Sequence, residues 1–280
     1  MISIRKELAE YGLTPRKRWG QHFLVDRNIL NKVIRTARVG KEDVVLEVGP
    51  GLGEMTLALA RQAKQVIAVE IDPKLTEILK TKVADTPNIE VMKGDILKID
   101  FNPLFQRERQ PLKVVANLPY QISTPLLFHF VEMKEFFSTL TLMLQKEVAD
   151  RMVACPGSKN YGPLSIFIQL FSNLSICFYI QPSAFFPTPK VKSAVVRMVF
   201  REKPMVKLEN ERWFRKVVKG CFSYRRKTLL NALKHSGLPL PSGLEHRMEE
   251  VGIDSSRRPE TLTIQEFVNL SESLRNVPMS

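Results

Sequence analysis

The chain is poor in cysteine. Only Cys155, Cys177 and Cys221 occur in 280 residues, widely spaced, odd in number and without a CxxC pair. That pattern supports neither a disulfide framework nor a zinc site, so reduced thiols and no metal are expected. Long hydrophobic runs are also missing, and no window approaches the roughly 18 consecutive apolar residues of a membrane span. The first residues, MISIRKELAEYG, lack an apolar signal core and predict a polar amphipathic helix. No Arg- and Ser-rich transit peptide is evident. Together these absences predict a cytoplasmic protein with no membrane partner. Apolar content of 44% and charged content of 25% suit a folded globular chain.

Acids are in the minority. Lys+Arg 42 against Asp+Glu 29 leaves a net charge of +13, which favours a polyanionic partner, since each phosphate neutralised releases counterions. The excess is uneven: residues 1–40 hold nine Lys/Arg and three acids. One cluster, Arg16-Lys17-Arg18, precedes Trp19, and another, Arg225-Arg226-Lys227, follows Tyr224. Basic residues beside aromatics suit RNA, where ammonium and guanidinium groups track phosphates and rings stack on bases. A solvated charged face is the alternative for either cluster.

Apolar runs and helical spacing alternate along the first 200 residues. Strands are predicted at 44–48, 65–71, 89–95, 113–116, 139–145, 174–181 and 193–200, and helices at 54–63, 73–84, 124–133, 146–154 and 163–172. This alternation predicts an α/β fold with a mainly parallel sheet of seven strands and helices on both faces. The linker before the last strand is too short for a helix, so the last two strands should be antiparallel. Beyond Phe200 strand signals stop. Residues 212–233 read as helical, as do the segments RMEEVGI and PETLTIQEFVNLSESL. The polar stretch around Pro204 sets a boundary between an α/β domain with an N-terminal helical arm, 1–203, and a small all-α domain, 204–280.

Ligands of open α/β sheets bind beyond the carboxyl ends of the strands. After the first strand comes Gly49-Pro50-Gly51-Leu52-Gly53, preceded by Glu47. Its GxGxG spacing differs from the dinucleotide GxGxxG, and a purely structural turn is the competing reading. Glu70 ends the second strand, 21 residues after Gly49, where an acid can accept from both hydroxyls of a ribose. Asp72, followed by Pro73, reads instead as a helix cap. Asp95 follows the third strand and can accept from an adenine amine, or merely close a turn. The three features together describe a site for an adenosine-containing ligand. After the fourth strand comes Asn117-Leu118-Pro119-Tyr120, which a nicotinamide enzyme does not need.

That quartet resembles the N-(L/P)-P-(Y/F) motif of amino-group methyltransferases that use S-adenosylmethionine. Phe185-Phe186-Pro187-Thr188-Pro189-Lys190-Val191 fits FxPxPKV, and Trp19 to Asp26, WGQHFLVD, is similar to a GQNFL segment. With FSYRRKTLLNAL, these motifs occur in the order found in the KsgA-type ribosomal RNA small-subunit adenine dimethyltransferases, and the resemblance runs from about Arg16 to Leu233. It implies a Rossmann-like class I methyltransferase fold, with the last strand antiparallel, and a helical C-terminal domain that recognises rRNA. The implied reaction transfers methyl groups from S-adenosylmethionine, leaving S-adenosylhomocysteine. The acceptors are two adjacent adenosines in the 3′-terminal hairpin of 16S rRNA in the small ribosomal subunit. By the same resemblance Gln21, His22, Leu24, Gly49, Gly51, Gly53, Glu70, Ile71, Asp95, Ile96 and Asn117 would hold the cofactor. Arg16, Lys17, Arg18, Arg225, Arg226 and Lys227 would meet RNA. His22 stands where the bacterial pattern has Asn, and only a side-chain contact is put in doubt by the change. No dimer seam is visible, so a monomer is expected.

The chemistry suits these residues. An exocyclic amine of adenine is a poor nucleophile because its lone pair is delocalised. Acceptors for its two hydrogens, the Asn117 side-chain oxygen and the Leu118 carbonyl, pull the nitrogen toward tetrahedral geometry. Pro119 stiffens that carbonyl. Tyr120 and Phe185 are expected to stack on the base, at about 1–3 kcal/mol per base. No strong general base is required, because the methylated nitrogen becomes acidic enough to lose its proton to water. Three other readings compete: an Erm-type large-subunit rRNA adenine methyltransferase, a non-catalytic RNA-binding assembly or transcription factor, and a NAD-dependent oxidoreductase. The YRRKTLLNAL segment disfavours the first, the intact quartet and acids the second, and the GxGxG spacing the third.

Overall fold

The computed structural model describes residues 4–15, 20–224 and 226–275. Arg16, Lys17, Arg18 and Arg225, four of the predicted RNA contacts, lie outside them. The chain forms two compact units, Met1–Ala149 with Asn173–Phe200, and Asp150–Ser172 with Arg201–Ser280.

The first unit is built on nine strands: β1 (Phe23–Leu24), β2 (Val44–Val48), β3 (Gln65–Glu70), β4 (Ile89–Lys93), β5 (Leu112–Asn117), β6 (Phe137–Gln145), β7 (Ser172–Ile180), β8 (Phe185–Phe186) and β9 (Ser193–Phe200). Seven form one sheet in the order β4-β3-β2-β5-β6-β9-β7. β2 pairs in parallel with β3 and β5, β3 with β4, and β5 with β6, whereas β9 runs antiparallel to β6. The central strand β2, VVLEV, is buried at every position. A near-continuous apolar run is what a parallel strand covered on both faces requires. The helices of this part are α1 (Ile4–Glu10), α2 (Arg27–Ala37), α3 (Glu54–Ala60), α4 (Pro73–Lys82), α5 (Asn102–Glu108), α6 (Ser123–Glu132) and α7 (Lys146–Met152), whose last residues pass into the second unit.

Two of these helices, α2 and α5, have no counterpart in the sequence reading. α2 begins where the Asp26 carboxylate accepts from the Asn28 and Ile29 amides, and it buries Val33, Ile34 and Ala37 in the core cluster of Val45, Val115 and Val195. β1 and β8, two residues each, were equally unannounced. They pair antiparallel with Phe23 opposite Phe186 and Leu24 opposite Phe185.

The second unit contains α8 (Pro163–Phe171), α9 (Glu211–Cys221), α10 (Leu229–Lys234), α11 (Leu244–Glu250) and α12 (Ile264–Ser273). The expected boundary near residue 203 assigns 150–172 to the α/β domain, whereas the compact units group this segment with 201–280. Composition explains the grouping. α8 buries Leu164, Ser165, Ile166, Phe167, Ile168, Leu170 and Phe171, and a helix apolar on all sides must be covered on all sides. Phe214 of α9 meets Phe167 edge-on at 5.9 Å, and the Arg215 guanidinium lies 5.3 Å from the same ring. The segment expected to be helical throughout 212–233 is broken. α9 stops at Cys221, and Thr228 caps a separate α10, because a threonine hydroxyl that accepts a backbone amide starts a new helix. Among the described residues no helix is long and apolar enough to cross a membrane.

Candidate active site

Strand order reverses beside β2: the chain moves outward through β3 and β4, then returns to β5 on the other side. Such a switch point leaves a crevice beyond the carboxyl ends of the strands. A cleft of about 1060 Å³, counted out to its open mouth, lies there and is lined by segments 20–24, 47–52, 70–71, 94–96 and 117–120, together with Ile4, Met55, Leu75 and Met143. Gln21, His22, Leu24, Gly49, Gly51, Glu70, Ile71, Asp95, Ile96, Asn117, Leu118, Pro119 and Tyr120 are all brought to it.

The turn after β2 needs its glycines for different reasons. Gly49 and Gly51 have φ of 66° and 60°, a region where a side chain is strained. A Cβ on Gly51 would stand 2.9 Å from the Phe23 ring. Gly53 does not line the cleft. It precedes α3 at φ 86°, and a Cβ there would collide with Leu79. Packing against Leu79 thus gives Gly53 a reason of its own to be glycine. Lys82 donates from Nζ to the Leu52 carbonyl and to Glu7 Oε1, both at 2.6 Å, which ties α1 to the same turn.

Two buried acids face this side. Glu70 accepts the Asp72 amide at 2.9 Å on one oxygen and the Gly51 amide at 3.2 Å on the other. Burial raises its pKa, and these backbone donors oppose the shift. Asp72 caps α4 by accepting the Lys74 amide, as its place before Pro73 predicts. Glu47, on β2, has no hydrogen-bond partner for either oxygen. Burial pushes its pKa up to about 8. The Thr56 hydroxyl offsets part of this without reaching hydrogen-bond geometry, and the charge of Glu70 adds to it. Sequence reasoning passed over Glu47 because an acid inside a fully buried strand looks like a break in an apolar run. That oddity was the available signal. Asp95 caps the short 3-10 turn Ile96–Lys98 through the Leu97 amide, and it also lines the cleft.

The opposite side holds the quartet. The Leu118 amide donates to the Met143 carbonyl at 2.9 Å, which locks the turn to β6. Asn117 Nδ2 donates to the His22 carbonyl at 2.7 Å, so the remaining polar end of this amide is an acceptor. The His22 ring lies 5.0 Å from the Tyr120 ring, and its Nδ1 donates to the Pro187 carbonyl at 2.6 Å. Gly20 lies against the quartet, where a Cβ would meet the Tyr120 amide nitrogen at 3.3 Å. Tyr120 is tied by its hydroxyl to Ser193 Oγ at 2.6 Å. Phe185, expected to stack on the base, is not brought to the cleft. It is 1% exposed, packs with Ile180, Ala184 and Val195 in the core, and does not line the cleft. Pairing of β8 with β1 turns this ring inward, so it supports the loop from beneath. Of the remaining predicted RNA contacts, Arg226 and Lys227 are exposed in the turn between α9 and α10, in the second unit.

Comparison with known proteins fits this geometry. The model of the ribosomal RNA adenine dimethylase family matches residues 12–276. The chain is 46% identical over 265 residues to a protein of Geobacter metallireducens named ribosomal RNA small subunit methyltransferase A, covering 94% of this chain and 96% of that one. A Bacillus mycoides protein of the same name is 43% identical over 276 residues, covering 96% and 94%. Among solved structures, a dimethyladenosine transferase from Plasmodium falciparum superposes with a TM-score of 0.73 at 30% identity, covering 88% of this chain and 94% of that chain. The 23S rRNA methyltransferase ErmE gives a TM-score of 0.66 at 27% identity, covering 90% and 99%. A family match over nearly the whole chain, joined to a switch-point cleft that carries the quartet, makes this chain a member of the ribosomal RNA adenine dimethylase family.

Proposed function

We propose that the chain transfers methyl groups from S-adenosylmethionine to the exocyclic amines of two adjacent adenosines in the 3′-terminal hairpin of 16S rRNA. The product is dimethyladenosine, and the role is in small-subunit biogenesis. The observation that carries this reading is the anchored Asn117 amide beside the Tyr120 ring, in the same cleft as two buried carboxylates.

The cleft fits such a donor. Glu47 is a buried acid without a partner, and a cation bound beside it would favour the ionised form that burial disfavours. The glycine turn leaves no room for a Cβ at Gly51 or Gly53 and puts bare backbone ahead of α3. Glu70 keeps lone pairs for ribose hydroxyls in addition to its two backbone bonds, and Asp95 and Ile96 flank the place of an adenine. When bound, the sulfonium supplies an electrophilic methyl group. The chain's own residues handle the acceptor. Asn117 Oδ1 and the Leu118 carbonyl take the two amine hydrogens and localise the nitrogen lone pair. Tyr120 stacks on the base and favours the positive charge that develops on it. Catalysis is then mainly positioning, which supplies about 7–11 kcal/mol in favourable cases. The target base leaves its stack to enter, and Arg226 and Lys227 of the second unit serve phosphate contacts.

Identity near 45% with proteins named for the small subunit, against 27% with the 23S enzyme, supports the 16S target. The test is methyl transfer to small and large subunits from a strain lacking these methylations, with the modified base identified. Dimethyladenosine in 16S rRNA is expected. Transfer to 23S rRNA alone, or none, overturns the reading.

A further inference from the structure

The acceptor side of the cleft continues outward along a connected path. Tyr120 is bonded to Ser193, and Ser193 pairs with Gln145 across β9 and β6. A lysine lies just beyond this end of each strand, Lys192 before β9 and Lys146 at the start of α7, and the Lys146 amide donates to the Lys192 carbonyl at 2.9 Å. The Lys146 ammonium lies 5.4 Å from the centre of the Tyr179 ring. That ring, on the edge strand β7, is 48% exposed. Lys190, Val191 and Lys192 are exposed on the same loop. Beyond Glu147 and Asp150 on α7, the chain contains no Asp or Glu until Glu202.

We propose that Tyr179, Lys146, Lys190 and Lys192 form an RNA-docking rim at the open end of the cleft, which holds the nucleotides flanking the target base. The inference rests on the function proposed above and extends it to a surface outside the base pocket. Its chemistry is that of single-strand binding. An exposed ring offers a face to any base, and ammonium groups set beside it track the backbone. The ring already carries a cation within the roughly 6 Å over which cation–π attraction acts. The absence of acids along β7, the loop and β9 removes repulsion of phosphates. A base held on Tyr179 would be continuous with one held on Tyr120, through Lys146, Lys192 and Ser193.

The test is initial-rate methyl transfer to a 3′-terminal 16S rRNA fragment and to whole small subunits, over a salt series, with melting temperature as the control for folding. Tyr179→Ala should raise KM for RNA roughly tenfold, and Tyr179→Phe should restore it. The triple variant Lys146→Ala, Lys190→Ala, Lys192→Ala should flatten the dependence of log affinity on log salt by about 0.7–0.9 per lysine removed. If the wild type methylates these RNAs and the variants match it in KM and salt slope, the rim is wrong and the function stands. Loss on whole subunits without loss on the fragment also overturns the rim, because it points to a ribosomal protein. Absence of transfer by the wild type overturns both.

Discussion

The two walls of the cleft differ in chemistry: one is acidic and the other is uncharged. The wall formed by β2, β3 and β4 is made of glycine turns and buried acids, with Glu47 and Glu70 inside it. The wall formed by β5, β6 and the turn after β5 holds the Asn117 amide, the Tyr120 ring and Met143, and β7, β9 and the loop between them contain no acid. One wall favours a small cation and the other a flat, hydrogen-bonding base. The proposed sulfonium donor and adenine acceptor suit that division, because RNA phosphates would be repelled from the acidic wall.

The contrast can be broken most severely from the acceptor side. Phe185→Ala should destabilise the protein by about 3–5 kcal/mol, the usual cost of emptying a buried phenylalanine site, as read by denaturant unfolding. A variant with wild-type stability and impaired RNA stacking would return Phe185 to the base pocket. Asn117→Ala should slow single-turnover methyl transfer by about 10²–10³-fold, the range for removing one preorganised hydrogen-bonding group that acts in the transition state. Donor affinity should change far less. An unchanged transfer rate would remove the quartet from the chemistry.

Smaller effects sharpen the donor side. Glu70→Gln should weaken donor binding roughly tenfold, within the range for hydrogen bonds to a charged group. Unaltered calorimetric affinity would exclude Glu70 from the ribose. Glu47 gives a pH test. Its pKa is raised from 4.5 to about 8, so the native state holds a proton that the unfolded chain has lost between those values. Native stability therefore falls as pH rises through that window and levels off above it. Glu47→Gln removes the decline. At pH 9 its melting temperature should exceed that of the wild type by about 2–4 °C per kcal/mol relieved, while the two should converge near pH 4. A cationic donor reverses the preference, so wild-type donor affinity should rise toward pH 8, and that of Glu47→Gln should stay flat. Matching pH profiles would show that Glu47 does not carry the charge.

Much of this molecule is written locally. The apolar runs of β2, β3 and β5 announce buried parallel strands. The Gly49–Gly53 turn, Glu70 and the Asn117–Tyr120 quartet follow those strands directly, so a reading of neighbours finds them. Asp72 before Pro73 caps α4 for a reason contained in three residues. These features depend on spacing of a few residues, which is what a sequence displays.

Tertiary structure alone decided the rest. Asn117 is oriented by the carbonyl of His22, 95 residues away, and His22 is held by Pro187, 165 residues away. Two-residue strands such as β1 and β8 have no pattern of their own and exist only because each supplies the other's hydrogen bonds. That pairing turns Phe185 inward, although its motif suggests a ring facing a ligand. Glu47 has an unremarkable identity and an unusual environment, because only the assembled sheet strips it of water and partners. Side-chain type was fixed by the sequence, whereas burial and long-range pairing, which set direction and charge, were fixed by the fold.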